Sequence, residues 1–315
     1  MYDVVALGEL LIDFATVSTD GDGYPTMAAN PGGAPGNFLA ALNAYGKKTA
    51  FLGKVGNDTF GHLLLKTLNG AGIGTKGIVV DDSVFTTLAF VTFDESGDRS
   101  FSFARKPGAD TQLSWEEIDK TLIDEAKVFH FGTLSLTDEP VRTATQKAVA
   151  YAKQQGKLIT CDPNLRMPLW RDLEEAKVQM LWSLQQADVV KISDNEVEFL
   201  WNCTPEEGAD KLLNEFGVSL ATVTLGPDGC LLKTKNAAFR AACPKVHPVD
   251  TTGAGDIFGG SAVARLLGLE KPICELTAED LAYIGKFAAT AASLSTEAVG
   301  GIPSIPNKDA VLAAM

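Results

Sequence analysis

The chain has 315 residues, 45% of them apolar, enough to bury the core of one large α/β domain or of two small ones. Acidic residues outnumber basic ones 40 to 27, giving a net charge of −13 and a pI near 4.7, and no basic run occurs. That balance argues against nucleic acid or an anionic membrane surface as a partner.

The opening segment "MYDVVALGELLIDF" has no basic n-region and carries Asp3, Glu9 and Asp13 within its apolar run, so it reads as a strand rather than a signal peptide. Residues 12–30 look extended and Gly-rich. "GNFLAALNAYG" is expected to be a helix, "TAFLGKVG" a strand and "TFGHLLLKTLNGAG" a helix. Next, "TTLAFVTFDESGDRSFSFARKPGA" reads as two alternating strands around an Asp-Glu-Ser-Gly-Asp turn. "VFHFGTLSL" is read as a strand, "EPVRTATQKAVAYAKQQG" as a helix and "KLITCDPN" as a strand. "DLEEAKVQMLWSLQQA" follows as a helix, "DVVKIS" as a strand and "DNEVEFLW" as a helix. Strands "LATVTLG" and "GCLLKT" and two final helices complete the chain. Short apolar runs alternating with helical stretches predict an α/β fold, a mostly parallel sheet with helices on both faces. The segments at about 12–30 and 84–106 are read either as a small antiparallel flap, or lid, projecting from the main sheet, or as an ordinary edge hairpin. No linker or internal repeat is seen, so the expectation is a single domain. The window "LAYIGKFAATAASLS" is interrupted by Lys286 and reads as a buried helix, not a membrane span.

Five scattered cysteines with no Cys-x-x-Cys pair read as free thiols in a reducing cytoplasm, and three isolated histidines argue against a transition-metal site. Neither a Gly-x-x-x-x-Gly-Lys-[Ser/Thr] loop nor a Gly-x-Gly-x-x-Gly after the first strand is present, which disfavours a Walker-type NTPase and a dinucleotide enzyme. What the chain does have is "VDTTGAGDIFGG", Val249 to Gly260. Gly253, Ala254 and Gly255 let backbone N–H groups converge on an oxyanion at a helix start. Asp256, in the first helical turn, is then free to take a proton from an attacking alcohol beside a bound phosphoryl group, its ionised form favoured by the helix end. The same four residues also describe an ordinary helix start with a first-turn acid.

The wider sequence resembles the PfkB-type, or ribokinase-like, sugar kinases. "VDTTGAGDIFGG" is similar to their C-terminal signature and "NPGGAPGNFLAALNAYGKKTAFLGKVGNDTFG" to their N-terminal one. "GELLIDF", "FHFGTLSLTDEPVR", "CDPNLR" and "SDNEVEFL" are most similar to the fructokinase subgroup. The resemblance spans essentially the whole chain and implies a ribokinase-like fold. It places the general base on Asp256 and the anion hole on the Gly253–Asp256 backbone. Asp13 falls on the sugar-gripping aspartate, and Gly32, Gly33 and Asn37 on the segment lining the sugar. Asp13 can accept from two neighbouring hydroxyls, and Asn37 can both donate and accept; by themselves these residues also suit a cap and tight turns.

Asn164 and Arg166 match a loop on the acceptor side. Arg105 is expected either to reach the sugar or the phosphoryl group or to be a solvated strand-end arginine. Lys191, Asn195, Thr224 and Gly226 are placed at the nucleotide, although a tight turn explains the glycine at 226 equally well. Asn195 and Glu198, at i and i+3 on one helix face, match an Asn-x-x-Glu motif, with Glu198 acting on Mg²⁺ through water; a plain solvated helix start with Asn195 as cap is the other reading. "SLSTEAVGGIPSIP" resembles a loop that surrounds a monovalent cation such as K⁺, with Asp250, Thr252, Ser295, Ala298, Gly300 and Ser304 at the corresponding positions. Many relatives have Asn near the adenine where this chain has Ala289. The implied activity is a cytoplasmic, ATP- and Mg²⁺-dependent sugar kinase acting on fructose, pairing as a homodimer through the lid, whose apolar faces "FVTF" and "FSF" call for a partner. Kinases of 2-keto-3-deoxygluconate, ribose or a riboside are the alternative, and a catalytically silent sugar-binding protein of the same fold is a third reading.

Overall fold

A computed structural model describes residues 1–93 and 99–315. The strands are β1 (Tyr2–Leu7), β2 (Leu11–Thr19), β3 (Pro25–Gly32), β4 (Thr49–Gly56), β5 (Gly74–Asp81), β6 (Thr87–Phe93), β7 (Arg99–Ala104), β8 (Ala126–Gly132), β9 (Leu158–Asp162), β10 (Val189–Ser193), β11 (Leu220–Thr224), β12 (Cys230–Lys233) and β13 (Ala238–Ala241). The α-helices are α1 (Ala34–Ala44), α2 (Thr59–Gly70), α3 (Lys120–Asp124), α4 (Val141–Gln154), α5 (Leu173–Gln186), α6 (Asp194–Trp201), α7 (Pro205–Asn214), α8 (Ala254–Leu269), α9 (Ala278–Ser295) and α10 (Lys308–Ala314).

Nine strands form the main sheet in the order β13-β12-β11-β10-β9-β8-β1-β4-β5. All pairings from β11 through β5 are parallel, while β12 and β13 add an antiparallel edge. Continuous apolar runs are what a sheet covered on both faces requires. Val4, Val5, Ala6 and Leu7 of β1 are all fully buried. Val5 and Leu7 join one core with Ala144, Met180, Val197 and Leu212 of α4 to α7; Val4 and Ala6 join another with Phe38, Leu64, Ile257 and Phe287 of α1, α2, α8 and α9.

The lid is a second sheet of four strands, β3-β2-β6-β7. Its hairpins β2–β3 and β6–β7 are antiparallel and are joined through a parallel β2–β6 pairing. The turn expected at 94–98 lies outside the described residues. One expectation for this region changes. The opening apolar run is two strands rather than one, because the chain leaves the main sheet at residues 8–10. Asp13 therefore belongs to the lid strand β2, where it pairs with Asn30, and not to the end of the first strand.

Other differences are local. The run "VFHFGTLSL" ends as a strand at Gly132 and continues as a buried 3₁₀ turn, Leu134–Leu136; apolar continuity alone does not distinguish the two. β5, β13, α3, α7 and α10 lie outside the expected elements, although α7 opens with a capping box, Thr204 with Glu207. The lid's apolar side is partly covered within the chain: Phe14 stacks on Phe90 at 5.3 Å and meets Phe60 of α2 edge-on at 5.4 Å. The five cysteines are free. Among the described residues no helix is long and apolar enough to cross a membrane.

Candidate active site

The site is built where α1, α8 and the loops after β9 and β10 converge. α8 starts at Gly253, whose φ of 76° is a left-handed conformation suited to glycine. No side chain caps this helix, and the Ala254 N–H donates to the Thr251 carbonyl at 3.3 Å. First-turn N–H groups have no partner inside a helix, so Gly255 and Asp256 present theirs to the cleft. α8 packs closely on α1: a Cβ on Gly260 would stand 2.3 Å from the Phe38 carbonyl oxygen. That approach brings the Asn37 side-chain amide to Asp256, where Nδ2 donates to Oδ2 at 2.9 Å. Asp256 is only 9% exposed.

The helix end was expected to favour ionised Asp256. The balance in the fold is different. Burial raises its carboxyl above the usual range, opposed by the Asn37 hydrogen bond and by the charges of Lys191 and Arg166. A base held closer to neutrality suits proton transfer better than a strongly acidic carboxylate.

Asp13 faces the same cleft from the lid. Burial raises its carboxyl to about 6; Arg166 opposes this, and the negative charges of Asp256 and Asp250 add to it. Gly32 leaves room for that carboxyl, since a Cβ there would lie 2.1 Å from Asp13 Oδ2. Gly33 caps α1. Asn164, with φ 46°, is buried and lines a small cavity together with Glu9, His130, Asp162 and Asp256. Arg166 is exposed beside them.

Lys191 Nζ lies 3.1 Å from where a Cβ on Gly255 would stand, beneath the helix start, and pairs with Asp162 at 2.9 Å. Thr224 ends β11, its hydroxyl near the Ile192 carbonyl, and Gly226 opens the turn that follows. Asp250 ties two loops together: it accepts from Thr252 N and Oγ1 through one oxygen and from Gly300 N through the other. This brings the segment of Asp250 and Thr252 against that of Ser295, Ala298, Gly300 and Ser304.

Arg105 departs from what was expected, and the surroundings of Asn195, Glu198 and Ala289 can be stated. Arg105 is not a solvated strand-end arginine, although it lines a cavity together with Ser102, Phe103, Asp138 and Trp170. It is 5% exposed, bonded to Asp110 at 2.8 Å, to Thr137 at 2.8 Å and to the Leu134 carbonyl at 2.9 Å. Its donors are committed to holding the end of β7 to the body. Asn195 and Glu198 lie on the exposed face of α6, and the carboxylate turned inward is Glu196. Glu196 accepts from Leu165 N at 2.7 Å and from Ser193 N and Oγ, so it latches the Asn164 loop to the start of α6. The signal was present as the capping box Ser193-Asp194-Asn195-Glu196. Ala289 is buried in a core cluster with Phe258, Leu232 and Ala288, so it offers no surface to a nucleobase.

Sequence reasoning also passed over Glu9 and Asp162. Glu9 is 3% exposed, accepts from Ala34 N at 2.8 Å and is pushed up to about 7 by burial. An acid inside an apolar run, and the first residue of Asp162-Pro163-Asn164, were the available signals.

Residues 1–308 match the pfkB family of carbohydrate kinases. Fructokinase-2 of Solanum lycopersicum is 41% identical over 313 residues, covering 98% of this chain and 94% of that protein. Fructokinase-1 of Zea mays is 40% identical over 314 residues, covering 98% and 96%. Among solved structures, a fructokinase from Xylella fastidiosa with bound ATP superposes with a TM-score of 0.91 at 28% identity, covering 100% of this chain and 98% of that one. A fructokinase from Vibrio cholerae with fructose, ADP and calcium bound gives 0.88 at 31% identity, covering 99% of each chain. With both signature segments meeting at one buried aspartate, and a match along nearly the whole sequence, the chain belongs to the pfkB family of carbohydrate kinases.

Proposed function

We propose that this kinase transfers the γ-phosphoryl group of ATP to D-fructose, giving ADP and D-fructose 6-phosphate. The observation that carries the reading is Asp256: a buried carboxyl at an uncapped helix start, hydrogen-bonded to Asn37 and facing Asp13 across the cleft. Its relatives at about this level of identity are fructokinases, and solved neighbours hold fructose and ADP, or ATP.

In this reading Asp13, with Gly32 and Gly33 beside it, accepts hydrogen bonds from neighbouring sugar hydroxyls. The sugar alcohol attacks the γ-phosphorus in line. Asp256 takes its proton, and the first-turn N–H groups of α8 stabilise the charge developing on the transferring oxygens. Arg166 adds a positive charge on the acceptor side, and Thr224 and Gly226 border the nucleotide.

Mg²⁺ enters with ATP as part of the substrate and neutralises phosphate charge. Both oxygens of Glu196 are engaged in protein hydrogen bonds, so its part is to place the Asn164 loop. Asp250, Thr252, Ser295, Ala298, Gly300 and Ser304, on the loops that Asp250 joins, would hold a monovalent cation that neutralises nearby negative charge, and a solved Vibrio cholerae fructokinase variant binds potassium. The lid covers the sugar and keeps water from the phosphoryl group. A second copy of the chain pairs through the lid, and the enzyme works in the cytoplasm.

The test is ADP release with Mg²⁺-ATP across a panel of sugars. Fructose should give the highest kcat/KM. Faster turnover of ribose or 2-keto-3-deoxygluconate would move the substrate and keep the chemistry, whereas no turnover on any sugar overturns the reading.

A further inference from the structure

Beneath the start of α8 a single lysine serves more than one carboxyl group. Lys191 Nζ donates to Asp162 Oδ2 at 2.9 Å and lies directly under Gly255, the neighbour of Asp256. Asp162 is 7% exposed, and its other oxygen, Oδ1, is buried without a hydrogen-bond partner. Asp162 and Asp256 line the same cavity, which has room for about one water.

The charged groups around them can be named. Lys191 from β10, Glu196 from α6 and Asp256 from α8 act on Asp162. Asn37, Lys191 and Arg166 act on Asp256, Asp13 faces it from the lid, and Glu9, from the turn after β1, lines the same cavity. His130, stacked on Phe38, is held neutral because burial lowers it to about 3, with Lys191 adding to the effect. One buried cation in a poorly solvated site cannot fully stabilise two carboxylates at once.

We propose that Asp162 is a positioning residue for proton transfer: it competes with Asp256 for Lys191, so its state of charge governs how readily Asp256 acts as a base. This deepens the kinase reading above and rests on it for the role of Asp256. When Asp162 is ionised it holds the lysine, and Asp256 keeps a proton more tightly. When Asp162 is neutral the lysine's charge is left to Asp256, which then ionises more easily. Burial pushes Asp162 up to about 7 and raises Asp256 as well, so the two titrate as a coupled pair rather than as independent acids. Gly255 gains a second purpose on this account, leaving space for the lysine beneath the anion-binding turn.

The pH profile of kcat/KM tests the competition through opposite signs. Asp162→Asn keeps the shape of the side chain and removes the competing charge, so the acid limb should move to lower pH by about one unit, the scale of one nearby charge. Lys191→Met removes the cation that favours ionised Asp256, so the limb should move to higher pH. Equal loss of activity at every pH in both variants, with unmoved limbs, or shifts in the same direction, would overturn the proposal.

A second measurement needs no turnover and no variant. Carboxyl ¹³C titration of the ligand-free native protein should show Asp162 and Asp256 each reporting two shared inflections. Independent single-inflection curves overturn the coupling. Shared inflections in a protein that phosphorylates no sugar would sustain the coupled pair while removing the kinase reading.

Discussion

Asp256 and Asp13 look into one cleft from very different supports. Asp256 stands on α8, which is buried from Asp256 to Leu266 between α1 and α9. Asp13 stands on β2, whose inner end, Leu11 and Ile12, is buried while its outer end leaves Val17 63% exposed. Tyr24 in the hairpin turn is 70% exposed. On the proposed reading, the difference places proton transfer on a buried helix and the grip on the sugar on an element with a half-free edge. A base and an anion-binding turn need fixed geometry, because small displacements weaken transition-state contacts steeply. A sugar-covering sheet must open and close, and elements that move come from the less densely packed end of a structure.

The comparison can be broken most severely at Asp256. Asp256→Asn keeps the shape and the Asn37 neighbour but removes the base, and kcat should fall about 10²-fold or more with ATP affinity little changed. Near-normal kcat, measured by ADP release under saturating substrates, would remove Asp256 from the chemistry.

Gly255→Val attacks the same side through the backbone. Gly255 is helical, so the substitution acts by sterics: its Cβ would meet Lys191 Nζ at 3.1 Å and its branches would crowd the anion-binding N–H groups. We expect a rate loss of about 10²–10³, the scale of a lost oxyanion donor, with a cooperative melt retained. Should the valine variant not fold, Gly255→Ala is measured in its place, and normal turnover in either variant contradicts the anion-hole assignment.

On the lid side, Asp13→Ala should lower kcat/KM for the sugar by about 10²-fold, since sugar hydroxyls lose their acceptor in a closed site. Binding of ATP alone, followed by calorimetry, should survive. Gly32→Ala should produce the same split, because its methyl group would occupy the position of Asp13 Oδ2. A parallel loss of nucleotide binding would show that the two regions are not separable.

The smallest effect is dynamic. Amide exchange in Thr87–Phe93 and Arg99–Ala104 should slow on adding fructose, and by more than in β1 or β8. The Arg105–Asp110 pair should act as a fixed root for that motion rather than as a moving finger, given that both side chains are almost fully buried. Exchange in the lid that ignores the sugar would make it a static cover.

Much of this architecture was legible in the residues. Parallel strands buried on both faces show as apolar runs, and βα alternation follows from the need to return to the same sheet edge. The illegible parts have specific causes. The break at residues 8–10, Gly-Glu-Leu, lacks a turn cluster, so the passage of the chain from the main sheet into the lid left no mark. Arg105 looks like a free strand-end cation in sequence, and its burial depends on Asp110, Leu134 and Thr137, which arrive from other elements. Asn195 and Glu198 fit a spacing pattern, but only the packing of α6 decides which helical face turns inward, and it selects Glu196.

By itself the sequence determined the short-range features: a glycine-led start to α8, an acid in its first turn, and the strand–helix alternation over most of the chain. These depend on φ/ψ preferences and on hydrogen bonds within a few residues, so local identity suffices. Tertiary structure alone decided which charges meet. Asn37 reaches Asp256 because α1 and α8 cross closely at Gly260, and Lys191 reaches Asp162 because β9 and β10 are neighbours in the sheet. Burial then sets the protonation of these groups, because the cost of a charge depends on everything that excludes water around it, and no stretch of sequence carries that information.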